Sequence, residues 1–163
     1  MTEQEEEYVH FVSSIQDLNS AWVTLQDRKQ SEGHRLVSPA FQFALIAYAK
    51  PYRTSRGAVL NSKDKPLQHR LDSSRVPTAH LDLHNRLLKA RDQIHAHSDL
   101  TVMEAKLYVA RTSTGPRAFI AQNVILGDAG LSNTESIIDL IEKTLKTMYV
   151  EVKGLEAQLT PNS

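Results

Sequence analysis

The sequence predicts a mainly α-helical fold: an antiparallel four-helix bundle with a β-hairpin inserted before the last helix. Three observations lead there. Apolar residues recur three and four apart over 8–30 and again from 138 to 159. Between them lie an almost continuously apolar run, "FQFALIAYA", and an amphipathic stretch over about 77–96. Two strand-like runs, "EAKLYVAR" and "RAFIAQNV", flank the turn-rich "TSTGP". With 163 residues and no composition break, the chain reads as one domain over 1–163.

The first helix is predicted over 8–30, where Phe11, Ile15, Leu18, Trp22 and Leu25 form one face. In "SEGHRLVSPAF", Gly33 suits a helix stop, and Ser38 with Pro39 suits the cap and first position of the next helix. That second helix, about 39–50, is apolar nearly all round and should be buried. Pro51 disfavours helical geometry at Lys50. Residues 51–76 lack helical periodicity, so a loop is expected there. The third helix follows over about 77–96, then the hairpin. The last helix opens on a capping box formed by Ser132 and Glu135. Its residues Ile138, Ile141, Leu145, Met148, Val152, Leu155 and Leu159 give a narrow seam of coiled-coil type.

Composition removes several function classes. There is no cysteine, which excludes disulfides, thiolate metal sites and cysteine nucleophiles. Lys plus Arg equals Asp plus Glu, 19 each, so the whole chain exerts no net pull on a polyanion. The acidic start "MTEQEEEYVH" has no apolar core of a signal peptide, and no apolar run reaches spanning length. A soluble, cytoplasmic protein without a membrane partner is the expectation. One segment breaks the neutrality. From 50 to 75 there are seven Lys or Arg against two Asp. That segment is either a solvated loop or a phosphate-contacting arm, with Lys50, Arg53 and Arg56 as candidate substrate-binding residues.

The third helix concentrates the chemistry. With His80 at zero on a helical wheel, Leu83, Leu87, Ala90 and Ile94 fall at about 280–340°. His80, His84, Arg91 and His95 fall at about 0–60°, and Leu81 and Leu88 near 80–100°. A polar stripe bordered by apolar residues on both sides should face another helix, a cleft or a second subunit. Four of the seven histidines lie between 80 and 97, beside Arg91. His97 would sit about 120° from Arg91 on an ideal helix. The two converge if the helix ends near His95, or across a two-fold axis.

Three chemistries suit these residues. RNA transesterification needs an acid and a base near neutrality, supplied by histidine, and a fixed cation for phosphate, supplied by arginine. It needs no metal or other cofactor. A metal site is the second: His80 and His84 share a face, and His95, His97 and Asp99 add ligand types, but the glutamate of H-E-x-x-H is missing and Arg91 repels a cation. A binding or scaffold module is the third, with Arg91 paired to a carboxylate from another helix and the histidines bonded to carbonyls. Serine catalysis has little to stand on, since no G-x-S-x-G elbow is present.

The stretch Arg91-Asp92-Gln93-Ile94-His95-Ala96-His97 resembles the R-x(4–6)-H motif of HEPN-domain proteins. "RDQIHAHSD" looks most like the R-D-x-x-x-A-H-x-D form of abortive-infection-type members, and "YAKPYRTSRG" after the second helix adds to the likeness. The order of two helices, a variable connector, the motif helix and a last helix also fits. The resemblance covers most of the chain as architecture and about nine residues as motif. It implies an antiparallel helical bundle that commonly dimerises with the motif helices meeting. Active members are metal-independent ribonucleases, often toxins or antiviral effectors held by an antitoxin or regulatory protein; other members serve as binding or scaffold modules. On that pattern Arg91 would hold the scissile phosphate, His97 would transfer the proton, and Asp92 would orient one of them. His95 lies in the variable spacer and is not carried over. It stands with His84 as a possible support on the wheel argument alone.

Overall fold

The computed structural model describes residues 1–30, 37–95, 106–121 and 134–159. The first helix, α1 (Glu3–Gln30), starts earlier than the predicted residue 8. The cause is a reciprocal cap. The Glu5 N–H donates to Thr2 Oγ1 at 3.2 Å, and the Thr2 N–H donates to Glu5 Oε2 at 2.6 Å. Glu3, Glu5 and Glu6 in the first turn also oppose the positive end of the helix dipole. The acidic start that argued against a signal peptide is therefore a helix N-terminus.

Two helices lie antiparallel along α1. For α2 (Val37–Ala49), Lys50 Nζ meets Asp17 at 2.8 Å at one end, and the Arg28 guanidinium lies 4.6 Å over the Phe41 ring at the other. For α4 (Thr134–Glu156), Asn19 Nδ2 donates to the Tyr149 hydroxyl at 2.8 Å, and Lys29 meets Glu135 at 2.7 Å. Phe11, Ile15, Leu18, Ala21 and Leu25 of α1 are buried between them. The fourth helix, α3 (Leu81–His95), packs on α2 with Leu87 and Ala90 buried. Among the described residues the fold is mainly helical, with two small antiparallel hairpins. Among the described residues no helix is long and apolar enough to cross a membrane.

Two predicted features differ. α2 is largely buried as expected, but Pro39 is exposed and Phe43 points outward, 54% exposed. The buried face of α4 is wider than a coiled-coil seam, because Ile137, Leu140 and Thr144 are buried with Ile138, Ile141, Leu145 and Met148. Val152 and Leu155 at its far end are only partly buried. A helix in a globular core presents this broader face, since it touches neighbours on more than one side. Glu135 of the predicted capping box lies in the first turn of α4, while Ser132 falls outside the described residues.

The segment read as a loop over 51–76 is structured. A 3-10 turn at Lys50–Tyr52 leads to β1 (Ser55–Leu60), which pairs with β2 (Pro66–His69). Asn61 Oδ1 accepts the N–H groups of Lys63 and Lys65 in the turn, and Asp64 takes φ 53°. These strands are short and their pairing is supported from α1, so no helical periodicity announced them. Two further 3-10 turns, Ser73–Arg75 and Thr78–His80, precede α3; the helix thus begins at 81 rather than 77. The second hairpin, β3 (Lys106–Thr112) and β4 (Gly115–Ala121), turns at Ser113 and Thr114 with Gly115 at φ 117°.

Leu140 is fully buried where α4 meets the core. Leu140→Ala should destabilise the protein by about 2–5 kcal/mol, read from the urea midpoint at constant m-value.

Candidate functional site

The motif helix meets the basic connector at one place. Arg53, two residues beyond the proline that ends α2, extends its guanidinium to Asp92 on α3. Asp92 Oδ1 also lies 3.4 Å from Arg91 Nη1. One carboxylate therefore stands between two arginines, one from each side of the α2–α3 contact. All three side chains are partly open to solvent. The Nε atoms of both arginines are buried without a hydrogen-bond acceptor among the described residues. Two arginines against one carboxylate leave one positive charge in excess, and guanidinium groups bind phosphate bidentately.

The histidines of the polar stripe are drawn elsewhere. His84 is buried, with Nδ1 2.7 Å from the Tyr48 hydroxyl of α2. The Tyr52 ring packs edge-on against it, centroids 4.5 Å apart. Burial pushes the His84 pKa down, with the nearby Arg70 charge adding to the shift. Burial also pushes Tyr48 up, and Tyr52 up to about 12. The trio is thus neutral near pH 7. His84 is a core residue and does not support the motif. His80 turns the other way, 2.9 Å from Asp139 of α4. His80 and His84 of the stripe do face other helices, and those helices belong to the same chain.

Of the other predicted residues, Lys50 is engaged by Asp17 of α1, away from Asp92. Arg56 sits on the solvent side of β1, whose alternate residues Ser55, Gly57 and Val59 are half-buried. His95 ends α3, and its side chain is not described; His97 and Asp99 lie outside the described residues. His80 and His84 are committed to different partners, which removes the shared face that the metal reading required. Among the described residues no group of three or more His, Cys, Asp or Glu is arranged to hold a metal.

A second polar cluster was not anticipated. Glu6 on α1 is buried, and its carboxylate accepts the N–H groups of Ala58 and, at 2.9 Å, Val59. His69 Nε2 lies 3.7 Å from the same carboxylate, and the His69 ring stacks on His10, centroids 4.3 Å apart. His10 Nε2 is 2.6 Å from Ser55 Oγ. Burial raises the Glu6 pKa, but the two backbone bonds and His69 outweigh it and hold the carboxyl below its ordinary value. Burial lowers His10, assisted by His69. A side chain on Gly57 would collide with Glu6 and His69, so the strand approaches this closely only as glycine. Glu6 satisfies the exposed edge of β1 and fastens the hairpin to α1. A cleft of about 380 Å³ opens beside it, lined by His10, Ser14, His69, Arg70 and Arg75. The partners are some fifty residues apart in the chain, so only Gly57, an odd residue in a strand, hinted at a close approach.

Compared with family models, curated proteins and solved structures, the chain matches none.

Two measurements follow from these contacts. Glu6→Gln removes the charge and one of the acceptor oxygens, so the Ala58 and Val59 amides should exchange hydrogen faster while the Leu18 amide of α1 is unchanged. Second, His84 and His10 are held below the ordinary value of 6.5 in the folded state, so the unfolded chain takes up protons first. Their contribution is fully present above about pH 6.5 and is lost as pH falls toward the depressed folded values. The Tm should therefore drop between pH 7.5 and 5.5, and by less in a protein carrying Tyr48→Phe and His84→Leu.

Proposed function

We propose that this protein is a metal-independent, RNA-cleaving enzyme of HEPN type, built on a four-helix bundle, with Arg91 and His97 as the catalytic pair. The observation that carries the reading is the meeting of Arg53 and Arg91 at Asp92. A phosphate that displaces part of the Asp92 contact gains two guanidinium groups from separate elements. Asp92 holds both in place until then. His97 lies six residues beyond Arg91, outside the described residues. The resemblance of "RDQIHAHSD" to the HEPN motif supplies its role: proton transfer to or from the oxygens flanking the phosphorus. The attacking group is the neighbouring 2′-OH, so the products carry 2′,3′-cyclic phosphate. A homodimer with the motif helices facing, and restraint by an antitoxin or regulatory protein in a toxin–antitoxin or abortive-infection setting, rest on the resemblance alone.

One observation favours a second reading. Arg53 and Asp92 already satisfy one another, and His80 and His84 have internal partners, as expected of a non-catalytic binding or scaffold module.

A labelled-RNA assay separates the two. Wild type should cleave in excess EDTA, and His97→Ala should lose about 10²–10⁴-fold in rate. Arg91→Ala and Arg53→Ala should each raise KM and lower kcat, since either removes phosphate charge compensation. Undiminished cleavage by His97→Ala would end the assignment to this site, and no cleavage by wild type would favour the scaffold.

A further inference from the structure

The β3–β4 hairpin divides its residues between two unlike faces. Tyr108 pairs directly with Phe119, and Ala110 with Arg117. Because strand residues alternate, these four share one face, while Leu107, Val109, Arg111, Pro116 and Ala118 take the other. Every described side chain from Leu107 to Phe119 is exposed, only Gly115 being half-buried. Tyr108 is 55% and Phe119 53% exposed. An isolated two-stranded hairpin is marginal in water, and open aromatic rings on it have no solvation reason to be there.

Charge identifies what suits the face. Between 106 and 121 the chain carries Lys106, Arg111 and Arg117 and no acid, although the molecule as a whole has no net charge. A peptide or protein partner would have to bring acidic groups to meet them. A nucleic acid brings phosphates, and its bases bring flat rings. Two aromatic side chains on adjacent strands are spaced to stack two successive unpaired bases. Ala110, small and next to them, leaves the platform open, and Arg117 beside it lies within reach of the linking phosphate. A duplex keeps its bases stacked on each other and offers nothing to these rings.

We infer that the Tyr108–Phe119 face of the hairpin binds single-stranded RNA by base stacking, with Arg117 neutralising the backbone. The choice of RNA over DNA rests on the proposed ribonuclease reading; the stacking rests on the hairpin. The site would capture substrate strand outside the Arg53–Asp92–Arg91 cluster.

Binding is measured by fluorescence anisotropy with a labelled 2′-O-methyl 12-mer, which has no free 2′-OH and is not cleaved. The outcome therefore does not depend on catalysis, and a wild type that binds without cleaving would count against the ribonuclease reading alone. The test protein carries Tyr108→Ile and Phe119→Ile, which removes both rings and keeps strand-forming residues. Its affinity should fall by at least about tenfold, since each ring is worth roughly 5- to 100-fold. Tyr108→Trp should bind at least as tightly as wild type, and Val109→Thr, on the opposite face, should bind equally. Arg117→Ala should weaken binding and lower its salt dependence by about one phosphate. Wild-type affinity in the doubly substituted protein would overturn the inference. So would equal binding of duplex and single strand, or loss of affinity in Val109→Thr as large as that from removing the rings.

Discussion

The break at Pro51 is the constraint on which the rest of the structure depends. α2 is apolar and buried, and a continuous helix would have carried residues 50–53 onward along α1. Proline lacks an N–H and restricts the residue before it, so the chain tightens into a 3-10 turn. The turn is itself buried, so its backbone must be satisfied inside the protein. The Arg53 N–H donates to the Lys50 carbonyl, and the Leu71 N–H returns across the hairpin to the Pro51 carbonyl at 2.8 Å. That second bond closes the β1–β2 excursion on the end of α2. Tyr52 is thereby set against His84, and Arg53 against Asp92. The core contact and the candidate phosphate site are adjacent products of one backbone break.

Polar chemistry on α3 is therefore divided by depth. His84 faces inward, where a neutral ring bonded to a phenol is tolerated and a charged one is not. Arg91 and Asp92 lie about two turns further along, where the helix emerges and charge remains hydrated. His80, at the start of the helix, reaches Asp139 and ties the α3 end of the chain to α4. Histidine thus takes two roles, at His80 just before the helix and at His84 within it, set by how much water reaches each position.

The two hairpins have opposite relations to the helices. β1–β2 is fastened by Glu6, His10 and His69, and its inner residues are half-buried. β3–β4 has both faces exposed, with its aromatics and its aliphatics segregated. A strand pair held by a buried carboxylate belongs to the fold. A strand pair that keeps aromatic rings and unbalanced positive charge in water is suited to an outside ligand.

The amino-acid sequence by itself determined the four helices and the β3–β4 hairpin, because these depend on local periodicity and turn chemistry. The buried residues Leu18, Leu25, Leu87, Ile141 and Met148 were legible for the same reason. It also singled out Arg91, since charge beside an apolar helix face is visible in one dimension, and Arg53, since it lies in a basic run; Asp92 came from the motif resemblance. The rest was decided only in the tertiary structure. His84 and Arg91 lie on one stripe of the wheel, and no spacing rule separates them; Tyr48 does, by offering a buried hydroxyl to one and not the other. Glu6 reads as one of four glutamates in a solvated helix start until the backbone of β1 arrives to bond it. The β1–β2 strands are short, and their position depends on the Glu6 carboxylate and on His10, which stacks on His69 of β2. Such contacts join residues far apart in the chain, and their energies come from burial and shared hydrogen bonds that local patterns do not encode.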